Sequence, residues 1–210
     1  MQSEKMRVLR KSKKEVLAEF RTAELLEAAR RVFSKKGFHD ATVDEIAATA
    51  GVAKGTVYLY YPSKRAIYWA ALKHGIVDLL QQIHANVKEA KTVQSKLRAF
   101  IATKVSYFEV DRAFFKIYLL EFGNALTHSV HLYKDFEELY FQQVGILSKL
   151  LQEAARQKLI RPVRLEATAH AISDVIRGVI TQRLLGWSKA RIDREIEFIY
   201  ELIWRGIESR

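Results

Sequence analysis

The spacing of helix starts and stops between Thr42 and Lys64 constrains this chain more than any other feature. Thr42 has the hydroxyl of a good N-cap, able to accept from a backbone N–H at the open start of a helix. Glu45, three residues on, can reach back to the Thr42 amide and complete a capping box. Val43, Ile46, Ala47 and Ala50 then recur at helical spacing and form one apolar face. Gly51 stands where the chain must turn sharply, a place that suits glycine because it tolerates positive φ. Ala47 is small enough for a second helix to cross the first closely, and Val52 and Val57 would pin that second helix to a core. Pro62-Ser63 ends it and caps a third. Helix boundaries set so close together leave no room for a strand and demand a compact helix-turn-helix unit.

With Val52 and Val57 turned inward, the second short helix exposes Lys54, Gly55, Thr56, Tyr58 and Tyr60. One cation, one hydroxyl, two phenols and a bare stretch of backbone make a surface able to hold phosphates and meet base edges in a major groove. The next helix start presents free N–H groups and Lys64 to a phosphate. The plainer alternative is a three-helix segment with a solvated polar face. The joint occurrence of the cap, Ala47, Gly51, Val57, Lys54-Gly55-Thr56 and the Tyr60-Tyr61-Pro62-Ser63-Lys64 exit argues against it.

Residues 20 to 72 resemble the N-terminal domain of the tetracycline-repressor-like (TetR) transcriptional regulators. The likeness rests on Ala28-Ala29-Arg30-Arg31-Val32-Phe33 with Gly37-Phe38, on Thr42 to Ala47, on Ala50 to Tyr58 and on Tyr60 to Lys64. It implies an all-α fold with an N-terminal three-helix DNA-binding domain and a larger C-terminal helical domain for ligand binding and dimerisation. By the same resemblance, Thr42, Tyr58, Tyr60 and Lys64 would hold phosphates, while Lys54, Gly55 and Thr56 would lie against bases. Two positions depart from the family pattern. Tyr61 stands where phenylalanine is usual, and Ala53 where a serine often adds a phosphate contact.

Bulk properties agree. Two prolines and nine glycines in 210 residues leave little material for the turns of a many-stranded sheet, so the chain is expected to be all-α. A net charge of +11 favours nucleic acid or acidic membrane surfaces as partners. Lys5, Arg7, Arg10, Lys11, Lys13 and Lys14 gather before the module, offset by Glu4 and Glu15. This basic arm would either follow DNA or remain a solvated tail. The absence of cysteine excludes disulfides and thiolate chemistry. No apolar run approaches the ~20 residues of a membrane span, and no apolar segment of a secretory signal follows the basic start. A cytoplasmic protein without membrane attachment is expected.

Apolar periodicity predicts helices from Phe20 or earlier to Lys36, the two short helices, and then Lys64–Val87, Val93–Glu109, Arg112–Gly123, His131–Gln157, Leu165–Leu185 and Arg191–Glu208. The domains expected are a basic arm over 1–17, a DNA-binding domain over 18–66 and an effector-binding and dimerisation domain over 67–210. Their boundary falls inside the helix that starts at Lys64, which would carry movement from one domain to the other.

Aromatic residues crowd the stretch from Phe100 to Phe141. Taken singly, each is best read as core. Taken together they exceed what a small bundle requires and suggest an apolar site for a small hydrophobic effector. The residues proposed to form it are Phe100, Tyr107, Phe114, Tyr118, Glu121, Phe122, Tyr140, Val144 and Ile176, with Asn124 and Gln143 as further polar groups. The resemblance strengthens this reading, since such regulators carry an inducer pocket in this domain. Ile172, Val179, Ile196, Ile203 and Trp204 lie on stripes of the last two helices and are expected at a homodimer interface, with Gly178 permitting close approach. A two-fold dimer would present two reading helices ~34–36 Å apart to a palindromic double-stranded operator.

An enzyme is the competing reading. His128 and His131 are three apart, but no acidic or cysteine partner stands at ligand spacing. No Ser-His-Asp order, phosphate-binding glycine loop or HExxH motif is present. No catalysis, no metal and no cofactor are therefore expected. A second competitor is a DNA-binding adaptor governed by a protein partner in place of a small molecule.

Overall fold

The computed structural model describes the backbone of residues 13–124 and 131–209, and the side chains of 21–121, 123 and 136–209. Nine helices fill it: α1 (Lys13–Asp40), α2 (Val43–Ala50), α3 (Lys54–Tyr60), α4 (Lys64–Glu89), α5 (Val93–Val110), α6 (Arg112–Asn124), α7 (His131–Arg156), α8 (Leu165–Leu184) and α9 (Ile192–Ile207). The described residues contain no strand; a lone backbone bridge joins Ile160 to Glu208. The all-α class read from the sequence is what the structure shows, and most predicted helix ends fall within two residues of the observed ones. The exception is α1, which runs on to Asp40 through a kink at Gly37 (φ 75°, ψ 178°), one residue beyond its predicted end.

The chain divides into two compact units between Leu72 and Lys73. α4 is continuous across that division, with the bounds Lys64–Glu89.

In the first unit, Phe33, Ile46, Val57 and Ile67 from four successive helices are completely buried. Tyr68 packs edge-on to Phe33 at 5.0 Å and to Phe38 at 5.3 Å between ring centres. The predicted local devices are all present. The Thr42 hydroxyl accepts from the Glu45 amide at 3.2 Å, and the Glu45 carboxylate accepts from the Thr42 amide at 3.1 Å. Gly51 adopts the left-handed conformation at φ 68°, and the Val52 amide closes onto Ala47 O at 3.0 Å. The Ser63 hydroxyl accepts from the Ala66 amide at 3.1 Å and so starts α4. Each device satisfies backbone groups that a helix end leaves open.

In the second unit, α5 is the central element, packed against α6, α7, α8 and α9. Its Phe100, Ile101 and Phe108 are wholly buried. Lys96 on α5 is tied to Glu153 on α7 at 2.8 Å, and Arg183 on α8 to Glu109 on α5 at 3.1 Å. Where α4 passes α6, a Cβ placed on Gly75 would lie 2.5 Å from the Phe114 ring, so only glycine fits that crossing.

Candidate nucleic-acid interface and interior polar cluster

On α3 the buried side chain is Val57. Lys54, Gly55, Tyr58 and Tyr60 are exposed and Thr56 is half-exposed. Thr42 is exposed at the start of α2. Leu59, which the sequence reading passed over, is 83% exposed between the two tyrosines. Its signal was available. Positions two apart do not share a helix face, so Leu59 cannot turn inward with Val57.

Electrostatics order this surface. Lys36 is bonded to Glu45, and this contact, followed by the Thr42 amide, holds the Glu45 carboxyl below its usual range. Lys54 reaches Asp44 at 2.7 Å, and that carboxylate raises the lysine's pKa. A phosphate arriving at Lys54 must therefore share it with Asp44. Lys64 differs from its sequence-based role. Its ammonium donates to His39 O and Ala41 O, each at 2.9 Å, and lies 4.8 Å from the centre of the Phe38 ring. Two of the three N–H donors of a lysine are thus engaged in joining α4 to the end of α1.

In the second unit, Phe100, Phe114, Tyr118, Glu121, Val144 and Ile176, named above for an effector site, are buried. The rings also pack on one another. Phe108 stacks on Phe114 at 5.5 Å, and Tyr118 meets Phe108 at 5.4 Å and Phe136 at 5.7 Å. Tyr107 is half-buried, its hydroxyl donating to Gly75 O at 3.1 Å. Tyr140 is half-buried 3.1 Å from His170 Nδ1. Phe141 faces solvent. The side chains of Phe122 and Asn124, the basic arm's Lys5 to Lys14, and the His128–His131 pair lie outside the described residues.

Sequence reasoning missed Lys104, although it stands four residues from both Phe100 and Phe108 and so on the same helical stripe. It is buried, and its ammonium makes a 3.2 Å hydrogen bond with the Ser173 hydroxyl. Burial, reinforced by the positive charge of Arg177, pulls its pKa down to about 7. Gln143 on α7 is also buried. It meets the Tyr118 phenol, an interaction that favours the phenolate, although neither its amide nitrogen nor its oxygen completes a well-formed hydrogen bond. Burial holds the phenols of Tyr118 and Tyr140 in the neutral form.

The predicted dimer residues are placed differently from expectation. Ile172, Val179 and Ile203 are buried within their own unit, because α8 and α9 turn these faces toward α5 and toward each other. Ile196 and Trp204 are half-buried, and Trp204 stacks on Tyr200 at 6.2 Å. The apolar side chains that α9 leaves open are Phe198 and Leu202, at 54% and 53% exposure. On α8, Gly178 is exposed, and a Cβ placed there would meet nothing within 4 Å.

Among the described residues no three histidines, cysteines or acids gather as a metal would need, and no helix is long and apolar enough to cross a membrane.

Residues 25–71 match the family described as bacterial regulatory proteins, tetR family. The chain is similar to the fatty acid metabolism regulator protein of Bacillus subtilis, 24% identical over 188 residues that cover 89% of this chain and 95% of that protein. It is 33% identical over 91 residues to the HTH-type transcriptional activator FasR of Mycolicibacterium smegmatis, covering 43% of this chain and 42% of that one. The fold is similar to that of the transcriptional regulator FadR of Bacillus subtilis in complex with stearoyl-CoA. That likeness has a TM-score of 0.78 at 24% identity and spans 89% of this chain and 99% of that one.

Proposed function

From its place in the tetR family of bacterial regulatory proteins, we infer that this chain is a ligand-responsive transcriptional repressor. It binds a short palindromic operator as a homodimer and is released by a small hydrophobic effector, in the cytoplasm and without catalysis. One observation carries the reading: α3 buries Val57 and turns Lys54, Gly55, Tyr58, Leu59 and Tyr60 outward beside a capped α2. In this reading Thr42, Tyr58 and Tyr60 hold phosphates. Lys54, Gly55 and Thr56 approach base edges, and the Leu59 methyls are available to a thymine methyl. Lys64 keeps one donor for a phosphate while fixing the head of α4.

The dimer is assigned to the outer faces of α8 and α9, where Gly178 allows close approach and Phe198 and Leu202 need cover. Release is a population shift. Effector binds better to a conformation whose reading heads are wrongly spaced for consecutive major grooves, and the unbroken α4 conveys the change. The relatives' names support a fatty acyl compound as effector. The rival, an adaptor answering to a protein partner, offers no use for the polar groups buried in the second unit.

Footprinting on DNA upstream of the chain's own gene tests the reading. The expected result is a protected inverted repeat that is lost on adding a long-chain acyl compound. A uniform, sequence-independent footprint overturns operator recognition. A specific footprint indifferent to every acyl compound favours the adaptor.

A further inference from the structure

Two buried groups in the second unit lack the partners that their chemistry calls for. Lys104 is 1% exposed, and its ammonium lies 5.9 Å from the centre of the Phe100 ring. Its recorded hydrogen bond among the described residues is the long one to Ser173. Gln143 is 0% exposed; it meets the Tyr118 phenol, but neither amide atom completes a well-formed hydrogen bond. A buried amide without well-formed hydrogen bonds is destabilising, and a buried cation without an anion is more so. The charges that act on Lys104 are Arg177, which opposes its proton, and Asp174, which favours it. Asp174 is mostly exposed and already bonds Arg177 at 2.8 Å. The other titratable groups nearby are the phenols of Tyr118 and Tyr140, both neutral, and His170 beside Tyr140. Lys104 and Tyr118 share Arg177 and Asp174 as charged neighbours, and Gln143 meets Tyr118, so the two donors belong to one neighbourhood in which positive charge is in excess.

We propose that Lys104 and Gln143 form a receptor for the carboxylate of an effector whose remainder is apolar. The ammonium and the amide N–H both donate to the carboxylate oxygens, and Phe100, Phe108 and Tyr118 surround the adjoining carbons. This rests on the effector reading above and narrows it to the effector's chemical class. A cationic ligand is repelled by Lys104 and Arg177. A methyl ester or a coenzyme A thioester brings no charge to its carbonyl, and the nucleotide of a thioester must stay in water. The free acid is therefore selected over both. Burial disfavours the charged ammonium, and an arriving anion favours it, so binding of an acid is expected to draw protons onto Lys104.

Isothermal titration of the full-length protein at pH 7 tests this, using dodecanoate, methyl dodecanoate, dodecanoyl-CoA, 4-phenylbutanoate and its methyl ester. Repeating it in buffers of different ionisation enthalpy reads the proton uptake. The expected result is at least tenfold tighter binding of each acid than of its ester, with proton uptake for the acids alone. Lys104→Met should abolish both the preference and the uptake. Gln143→Leu should reduce the preference severalfold. Equal affinities of acid and ester for the unaltered protein overturn the proposal without reliance on any variant, as does a preference that survives in Lys104→Met. Release of operator by the thioester or ester and not by the acid also overturns it, and leaves the effector reading standing. Failure of the whole panel to bind or to release operator overturns the carboxylate receptor and the acyl effector together.

Discussion

The two units handle polar groups in opposite ways. In the first, the polar side chains that matter sit at helix ends on the surface, each closing a backbone group or another charge: Thr42 with Glu45, Ser63 with Ala66, Lys64 with His39 and Ala41. Among the described residues, the buried Thr103, Lys104, Glu121, Gln143, Ser173 and Glu195 all belong to the second unit, while in the first the guanidinium nitrogens of Arg30 are the buried polar atoms of a partly exposed side chain. The first unit therefore spends its hydrogen bonds on holding a short reading helix in one attitude. The second keeps donors inside, among buried aromatic rings. A module that must fit an invariant double helix gains from rigidity, whereas one that must respond to a visitor needs groups left to be answered.

The contrast breaks most readily on the outer face of α9. Phe198→Glu combined with Leu202→Glu should convert a dimer to monomers and lower operator affinity by more than a hundredfold, because four charges per dimer would be buried unpaired. Light scattering behind a sizing column reads the mass, and an unchanged dimer would make these residues ordinary exposed surface.

Next in size is Lys104→Met. The folded-state pKa of about 7 lies below the usual 10.5 of a lysine, so between those values the unfolded chain binds more protons and stability rises with pH. The burden of the charge is complete below pH 7. Lys104→Met should therefore stabilise by ~1–4 kcal/mol near pH 6, with about 2–4 °C in Tm for each kcal/mol. The gain should shrink by pH 9. A lower Tm at pH 6 would show that the ammonium is already well compensated, and would erase the difference between the units.

Thr42→Ala should cost the first unit ~1 kcal/mol through the lost cap, read by urea unfolding of the full chain. A neutral result would mean that packing alone sets the head's attitude. Tyr58→Phe should weaken operator and random DNA alike by ~1 kcal/mol for one phosphate bond; loss confined to the operator would make Tyr58 a base reader. The smallest effect expected is that of Lys54→Ala, since Asp44 already shares its charge. Its mark is a loss confined to operator DNA, with binding to random DNA little changed, as a base contact requires.

The head was legible almost residue by residue because its determinants are local. A cap, a box partner three positions on and a glycine in the left-handed region can be recognised without knowing what lies across the fold. Helix ends of the second unit were legible for the same reason. What the sequence concealed is which side of a two-sided stripe faces inward. Ile172 and Ile203 are apolar at the right spacing for either a core or an interface, and only the course of α5 decides between them. Phe198 and Leu202 carry the same signal four positions apart, on the side that α5 leaves uncovered. Lys104 escaped because lysine is ordinarily read as surface, although its register between two phenylalanines pointed inward. Gln143 was noticed as a polar group, but its lack of well-formed hydrogen bonds is a property of the folded interior alone.

Gly75 gives α4 a bare spot where the face of Phe114 rests directly on main chain. Such a seat acts as a fulcrum: the two helices can roll about the ring, but cannot slide lengthwise without first lifting it. An effector that displaced this ring would, on the reading proposed above, tilt α4, and a single added methyl would jam the bearing.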